Sequence, residues 1–334
     1  MMKKLFWLLP ILAGLLIMAV IALYSYSHHQ MTRPIKLEQA ELYEVKSGFS
    51  LGTIGRQFVK NDWLETRFWL RVYSKFHPEL GQIKEGVYLI EPKTSLHDTI
   101  KLIVSGNEHQ FKITFIEGSK FSEWLTALAS APYLKQSLPK LSHDQIAQTL
   151  DIDAEAIEGW LFPETYAYTA GMTDIDLLKI AHQKMELVLN ELWSERQGDL
   201  PYDTPYQALI MASIIEKETG QLVEQPTIAA VFVNRLRKKM RLQTDPTVIY
   251  GLGDRYDGNI TKAHLRQKTR YNTYRINGLP PTPIAMPGRS AIEAALNPDG
   301  SDYLYFVSKG NGWHQFSKTL AQHNKAVAKY QLGQ

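Results

Sequence analysis

The residue best suited to chemistry in this sequence is a glutamate at the end of a short apolar stretch. Residues 206–220 are dominated by Ala and straight-chain side chains, with Thr204 placed to cap a helix and Gly220 to end it. On such a helix Met211, Ile214, Ile215 and Glu218 are spaced i, i+3, i+4 and i+7 and share one face, while Glu216 and Lys217 project elsewhere. A carboxyl on a buried face favours its neutral form, and the negative end of the helix dipole acts in the same direction. Glu218 is therefore a candidate proton donor at neutral pH, against the alternative of an ordinary last-turn carboxylate reaching water.

Further polar groups follow it. Gln243 and Asp245 precede Pro246 in a turn-like stretch, and both can hydrogen-bond hydroxyl or acetamido groups. Asp245 is the nearest second carboxylate; its alternative role is an Asx turn before a helix that starts at Pro246. Residues 270–288 are too rich in proline for a helix or a central strand and read as a rigid loop, which can pre-position side chains. Within it Tyr271 or Tyr274 can reach the glutamate, Asn272 an acetamido group, and aromatic packing beneath the loop is the competing use of one tyrosine. Residues 157–166 are aromatic-rich without helical period, so Trp160, Glu164 and Tyr166 line a groove or belong to a packed connector. His314 reads as hairpin packing. There is no His-Glu-x-x-His, phosphate loop, Gly-x-Ser-x-Gly or zinc spacing, so neither a metal nor a cofactor is expected.

The elements that must position these groups suit an anchor and two modest domains, given 334 residues. Hydrophobic residues make up 44% and charged residues 21%, enough for ordinary cores. A net charge of +3 gives no case for nucleic acid, and the absence of cysteine excludes disulfides and thiolate chemistry. Lys3 and Lys4 precede an uncharged run over 5–27, which is long enough to span a bilayer and predicts a cytoplasmic N-terminus at 1–4; a cleaved signal peptide is the competing reading. Residues 28–40 read as a tether. A strand at 42–46, a helix from Ser50, a second at 65–76, a strand at 86–90 and a helix over 95–105 make a module spanning 41–109. A mixed α+β domain is expected over 110–334, with amphipathic helices at 174–197 and 226–240, a hairpin across 303–316 and a final helix.

The words MASIIEKETG, NRLRKKMRLQTDPTVIYG, RYNTYRINGLPPTPIAMPG and YLYFVSKGNGWHQFS resemble those of the YceG/MltG family, membrane-anchored endolytic murein transglycosylases, over nearly the whole chain. The first module is similar to LysM, a glycan-binding fold, with a longer second helix, so glycan binding and a plain spacer are both open. The resemblance implies an α+β fold with a lysozyme-like glutamate helix, Glu218 as catalytic acid, and Gln243, Asp245, Tyr271, Asn272, Tyr274 and Glu164 as substrate contacts. It implies a lyase reaction that cuts nascent peptidoglycan strands and leaves 1,6-anhydro-N-acetylmuramic acid ends. The implied setting is the inner membrane with a periplasmic catalytic domain, the implied role is to end glycan elongation, and penicillin-binding synthases are the implied partners. The alternatives are a non-catalytic peptidoglycan-binding scaffold and a hydrolytic muramidase using Glu218 and Asp245. An aminodeoxychorismate lyase, a label also attached to the family, would need a soluble pyridoxal-phosphate enzyme.

Overall fold

The computed structural model describes residues 2–333, with side chains from residue 9 onward. By contacts the chain divides into two compact units, 1–111 with 168–171, and 112–167 with 172–334.

The first unit opens with α1 (Met2–Met31), in which Leu9–Met31 is long and apolar enough to cross a membrane. Leu9, Leu16 and Ile17 are exposed, as expected of side chains that would meet lipid. The helix does not stop where the apolar run ends. Ser27 and Met31 are fully buried, Tyr24 meets Phe76 edge-on at 5.3 Å and Tyr26 meets Trp69 at 4.6 Å. Residues 28–40, read above as a tether, are accordingly a helix end and a pinned strip. Ile35 N–H donates to Thr94 O, Lys36 N–H to Trp63 O, and Arg33 O accepts from Leu96 N–H.

β1 (Glu41–Val45) then pairs antiparallel with β2 (Gly86–Ile90), from Glu41 opposite Ile90 to Val45 opposite Gly86. Between them lie α2 (Leu51–Lys60), capped by the Ser50 hydroxyl, and α3 (Phe68–Phe76); α4 (Leu96–Ser105) follows, capped by Ser95 and closed by left-handed Gly106. Tyr43, Ile54, Phe58, Trp63, Tyr73 and Ile100 fill the core, so Trp63 is interior rather than a sugar platform.

The second unit takes in β3 (Phe111–Thr114) from Lys112 on, α5 (Phe121–Ser130), α6 (His143–Thr149) and β4 (Thr165–Tyr168) as far as Ala167. β3 pairs with β4, and the Thr114 and Thr165 hydroxyls meet at 2.9 Å. Then come α7 (Asp174–Ser194), α8 (Pro205–Glu218), α9 (Gln225–Arg237), α10 (Asp245–Leu252), the short α11 (Lys262–Arg266) and α12 (Arg289–Leu296). The unit closes with the antiparallel hairpin β5 (Tyr305–Ser308) and β6 (His314–Ser317), and α13 (Leu320–Gln331) packed on both strands.

α8 is the axis of this unit. Ala208 through Ile215 are all buried, against α7, α9, α10 and α12. The buried face expected from spacing is therefore the whole circumference over 208–215, Ser213 included, and polar side chains reach solvent only from the two end turns. Thr204 caps the helix by accepting from Gln207 N–H, with Pro205 in the first turn. Its C-terminus is set by Thr219, which turns extended (φ −147°, ψ 136°), not by a left-handed Gly220.

Candidate active site

Glu218 is the last residue of α8, half-buried on the wall of a cavity of about 470 Å³. Gln243, Thr244, Asp245 and Tyr274 line one side of it. The turn before α10 places three of them. Gln243 adopts a left-handed backbone (φ 51°), uncommon outside glycine. Its N–H donates to Thr273 O, the Thr244 N–H donates to the Thr273 hydroxyl at 3.0 Å, and the Thr247 and Thr273 hydroxyls meet at 2.9 Å. Asp245 is thereby fixed as the first residue of α10, and the Tyr274 hydroxyl donates to its Oδ1 at 2.7 Å.

The Glu218 Oε1 accepts from the Thr244 hydroxyl. Burial pushes the Glu218 carboxyl up to about 7, and neighbouring Asp245 adds to the rise; the Thr244 bond and the Arg235 charge pull back. Arg235, from α9, is 7% exposed and lines the same cavity. Its guanidinium donates to Leu304 O at 2.7 Å and Leu242 O at 2.6 Å, which holds a fixed positive charge near the acid. The opposite wall is the hairpin and α13: Tyr305, Phe306, Ser308, His314, Leu320 and His323. A half-protonated carboxyl beside hydrogen-bonding groups in an open cavity is suited to handing a proton to a bound ligand and taking one back.

Of the residues singled out from sequence, Glu218, Gln243, Asp245 and Tyr274 come together here. Tyr271 does not line the cavity. Its ring packs edge-on to Tyr250 at 4.9 Å and its hydroxyl meets that of Thr282 at 2.9 Å, so it is the tyrosine used beneath the loop. Asn272 is 1% exposed, and its amide is spent on the carbonyls of His264, Leu265 and Gln267, a loop-closing role with no donor left for an acetamido group. Glu164 lies away from the cavity, half-exposed, 3.9 Å from Lys184. Trp160 stacks on Tyr206 at 5.5 Å, and Tyr166 is buried with its hydroxyl on Phe162 O, so residues 157–166 are the packed connector.

Sequence reasoning passed over Thr244 and Arg235 and left the hairpin out of the site. For Arg235 a signal existed: it follows Val231 and Phe232 at i+4 and i+3, on the packed side of α9. Burial raises other carboxyls too, Glu216 in the same last turn and Glu158 elsewhere. Glu158, 7% exposed, accepts from Phe121 N–H at 2.9 Å and the Tyr250 hydroxyl at 3.0 Å, and burial pushes it up to about 7. It does not line the Glu218 cavity.

Fold and cavity together define an α+β protein with an open, polar-lined cavity at the end of a buried helix. The chain belongs to the YceG-like family, whose model matches residues 43–329. It is 35% identical to an endolytic murein transglycosylase of Bacillus subtilis over 86% of this chain and 83% of that protein. It is 26% identical to an endolytic murein transglycosylase of Streptococcus pneumoniae over 86% of this chain and 57% of that longer protein. A crystal structure of a yceG-like protein from Listeria monocytogenes superposes with a TM-score of 0.56 at 28% identity, covering 86% of this chain and 99% of the other.

Proposed function

We propose that this protein is an endolytic lytic transglycosylase of peptidoglycan. The observation that carries the reading is Glu218: a helix-end carboxyl, held near neutrality by burial, on the wall of an open cavity in a chain whose relatives are named murein transglycosylases. In its protonated form Glu218 gives a proton to the oxygen leaving C1 of N-acetylmuramic acid. The C6 hydroxyl of that sugar then attacks C1 and its proton returns to the same carboxylate, leaving a 1,6-anhydro end. One acid–base residue suffices because no water is activated. Gln243, Asp245 and Tyr274 hold the glycan, and Arg235 stabilises the carboxylate between the two transfers.

The setting follows from α1, which we read as an uncut single-pass anchor in the inner membrane with residues 110–334 in the periplasm. The β1–α2–α3–β2 arrangement, with its antiparallel strand pair, supports a LysM-like module that either contacts glycan weakly or spaces the catalytic domain from the membrane. Cutting within nascent strands would limit their length, and penicillin-binding synthases are natural partners.

Asp245 in the same cavity favours one rival, a muramidase that activates water. Digestion of purified sacculi separates the readings. Anhydro-muramyl ends that disappear with Glu218→Gln are expected; reducing ends establish hydrolysis instead, and sacculus binding without fragments leaves a scaffold.

A further inference from the structure

The Glu218 cavity contains a second group equipped to handle a proton or a hydroxyl, on the wall that the reaction above does not use. His314 opens β6 and lines the cavity. Its ring Nδ1 is 2.8 Å from Glu224 Oε2, and its backbone N–H donates to Glu224 Oε1 at 2.9 Å. Both oxygens of one carboxylate are thus committed to one histidine, and the two side chains are only 11% and 9% exposed. Phe306 meets the imidazole edge-on at 5.4 Å and fixes the plane of the ring. A carboxylate can only accept, so Nδ1 carries a ring proton toward Glu224, and Nε2 is the ring nitrogen left to face the cavity. Among the described residues no protein group is bonded to that nitrogen. A histidine needed merely to staple the hairpin to the turn after α8 would be served by Nδ1 alone.

We propose that His314 is a substrate-contacting residue: its Nε2, oriented by the two contacts of Glu224 to Nδ1 and the backbone N–H, hydrogen-bonds a hydroxyl of the sugar lying against Glu218. Glu224 is the positioning residue, acting through the imidazole. The inference rests on the glycan reading above. It gives the cavity two walls with separate tasks, proton transfer on the α8–α10 side and ring orientation on the hairpin side. A saturated ring bearing several hydroxyls, which both donate and accept, suits such a nitrogen, and the aromatic ring of Phe306 beside it offers an apolar surface to the sugar C–H face.

The test turns on the geometry of substitution. The amide nitrogen of asparagine occupies the place of histidine Nδ1, so His314→Asn keeps the bond to Glu224 and removes only Nε2, whereas His314→Ala removes both. The full chain in detergent is assayed on glycan strands for kcat and KM. Binding of the same strands is measured in a Glu218→Gln background, and thermal midpoints are taken for every variant. The inference expects His314→Asn and His314→Ala each to raise KM and weaken binding by roughly tenfold, the value of one hydrogen bond, with the same product ends. It expects only His314→Ala to lower the midpoint. Strand binding and KM at wild-type values in His314→Asn overturn it, whether or not His314→Ala is impaired, because the staple alone then accounts for the residue. If the unsubstituted chain neither binds nor cuts glycan strands, the glycan reading itself fails and takes this inference with it.

Discussion

Two carboxyls in the second unit carry the same perturbation from the same cause and stand in unlike places. Glu218 and Glu158 are each pushed by burial to about 7. Glu158 is enclosed, with Phe121 N–H on one oxygen and the Tyr250 hydroxyl on the other, so each of its oxygens already has a donor. Glu218 has one protein donor, the Thr244 hydroxyl, and a cavity in front of it. A raised pKa marks desolvation; only access turns it into a proton that a ligand can receive. Glu158 ties the start of α5 to the middle of α10, and its strain is carried as a cost to stability rather than used.

That contrast can be broken at either end. The largest effect belongs to Glu218→Gln, expected to lower fragment release from sacculi by at least about a thousandfold, or ~4 kcal/mol in the barrier, with a thermal midpoint at or above that of the wild type. Glu158→Gln should do the reverse. A carboxyl whose folded pKa lies above its unfolded value costs stability once the unfolded chain ionises. Its penalty therefore develops from about 4.5 to about 7 and persists above. Glutamine keeps an acceptor for Phe121 N–H without the charge. We expect it to stabilise the fold by ~3 kcal/mol at pH 8, to make no difference below pH ~4.5, and to cut sacculi at the wild-type rate, as read by melting curves across pH alongside digestion.

Thr244→Val sharpens the comparison from the cavity side. The wild-type kcat/KM should fall as pH rises through about 7, where Glu218 loses its proton. Removing a hydrogen bond to the ionised form moves that fall to higher pH, with a rate loss of about tenfold or less at the optimum. A pH profile that does not move would mean that Thr244 has no hold on the acid. The smallest effect is at Glu164, half-exposed beside Lys184: Glu164→Gln should change neither digestion nor the midpoint by more than ~0.5 kcal/mol.

Glu218 was legible because it continues an apolar periodicity with a charged residue, a conflict that local sequence exposes without any tertiary knowledge. The caps at Ser50, Ser95 and Thr204 were equally local. The turn before α10 was half visible. Pro246 announced a helix start, while Thr244 gave no sign because its hydroxyl acts across to another helix. Tyr271 and Tyr274 are alike in type and three residues apart; which one faces the cavity is decided by Thr282 and Asp245, in different segments. The hairpin wall lies some 90 residues beyond Glu218 in the chain, so only packing brings it to the site. Asn272 misled for a general reason: an amide that recognises acetamido groups equally well closes a loop on its own carbonyls.

α1 carries one further consequence. Its closing turns belong to the interior of the first unit, with Ser27 and Met31 wholly enclosed and Ile35 pinned to Thr94 just beyond. With the apolar part seated in a bilayer, there is no swivel at the water line: roll or lean of the shaft passes undamped into the head it bears. If α1 is such an anchor, the membrane would dictate which way that module looks, as a mast dictates the heading of whatever is bolted to its top.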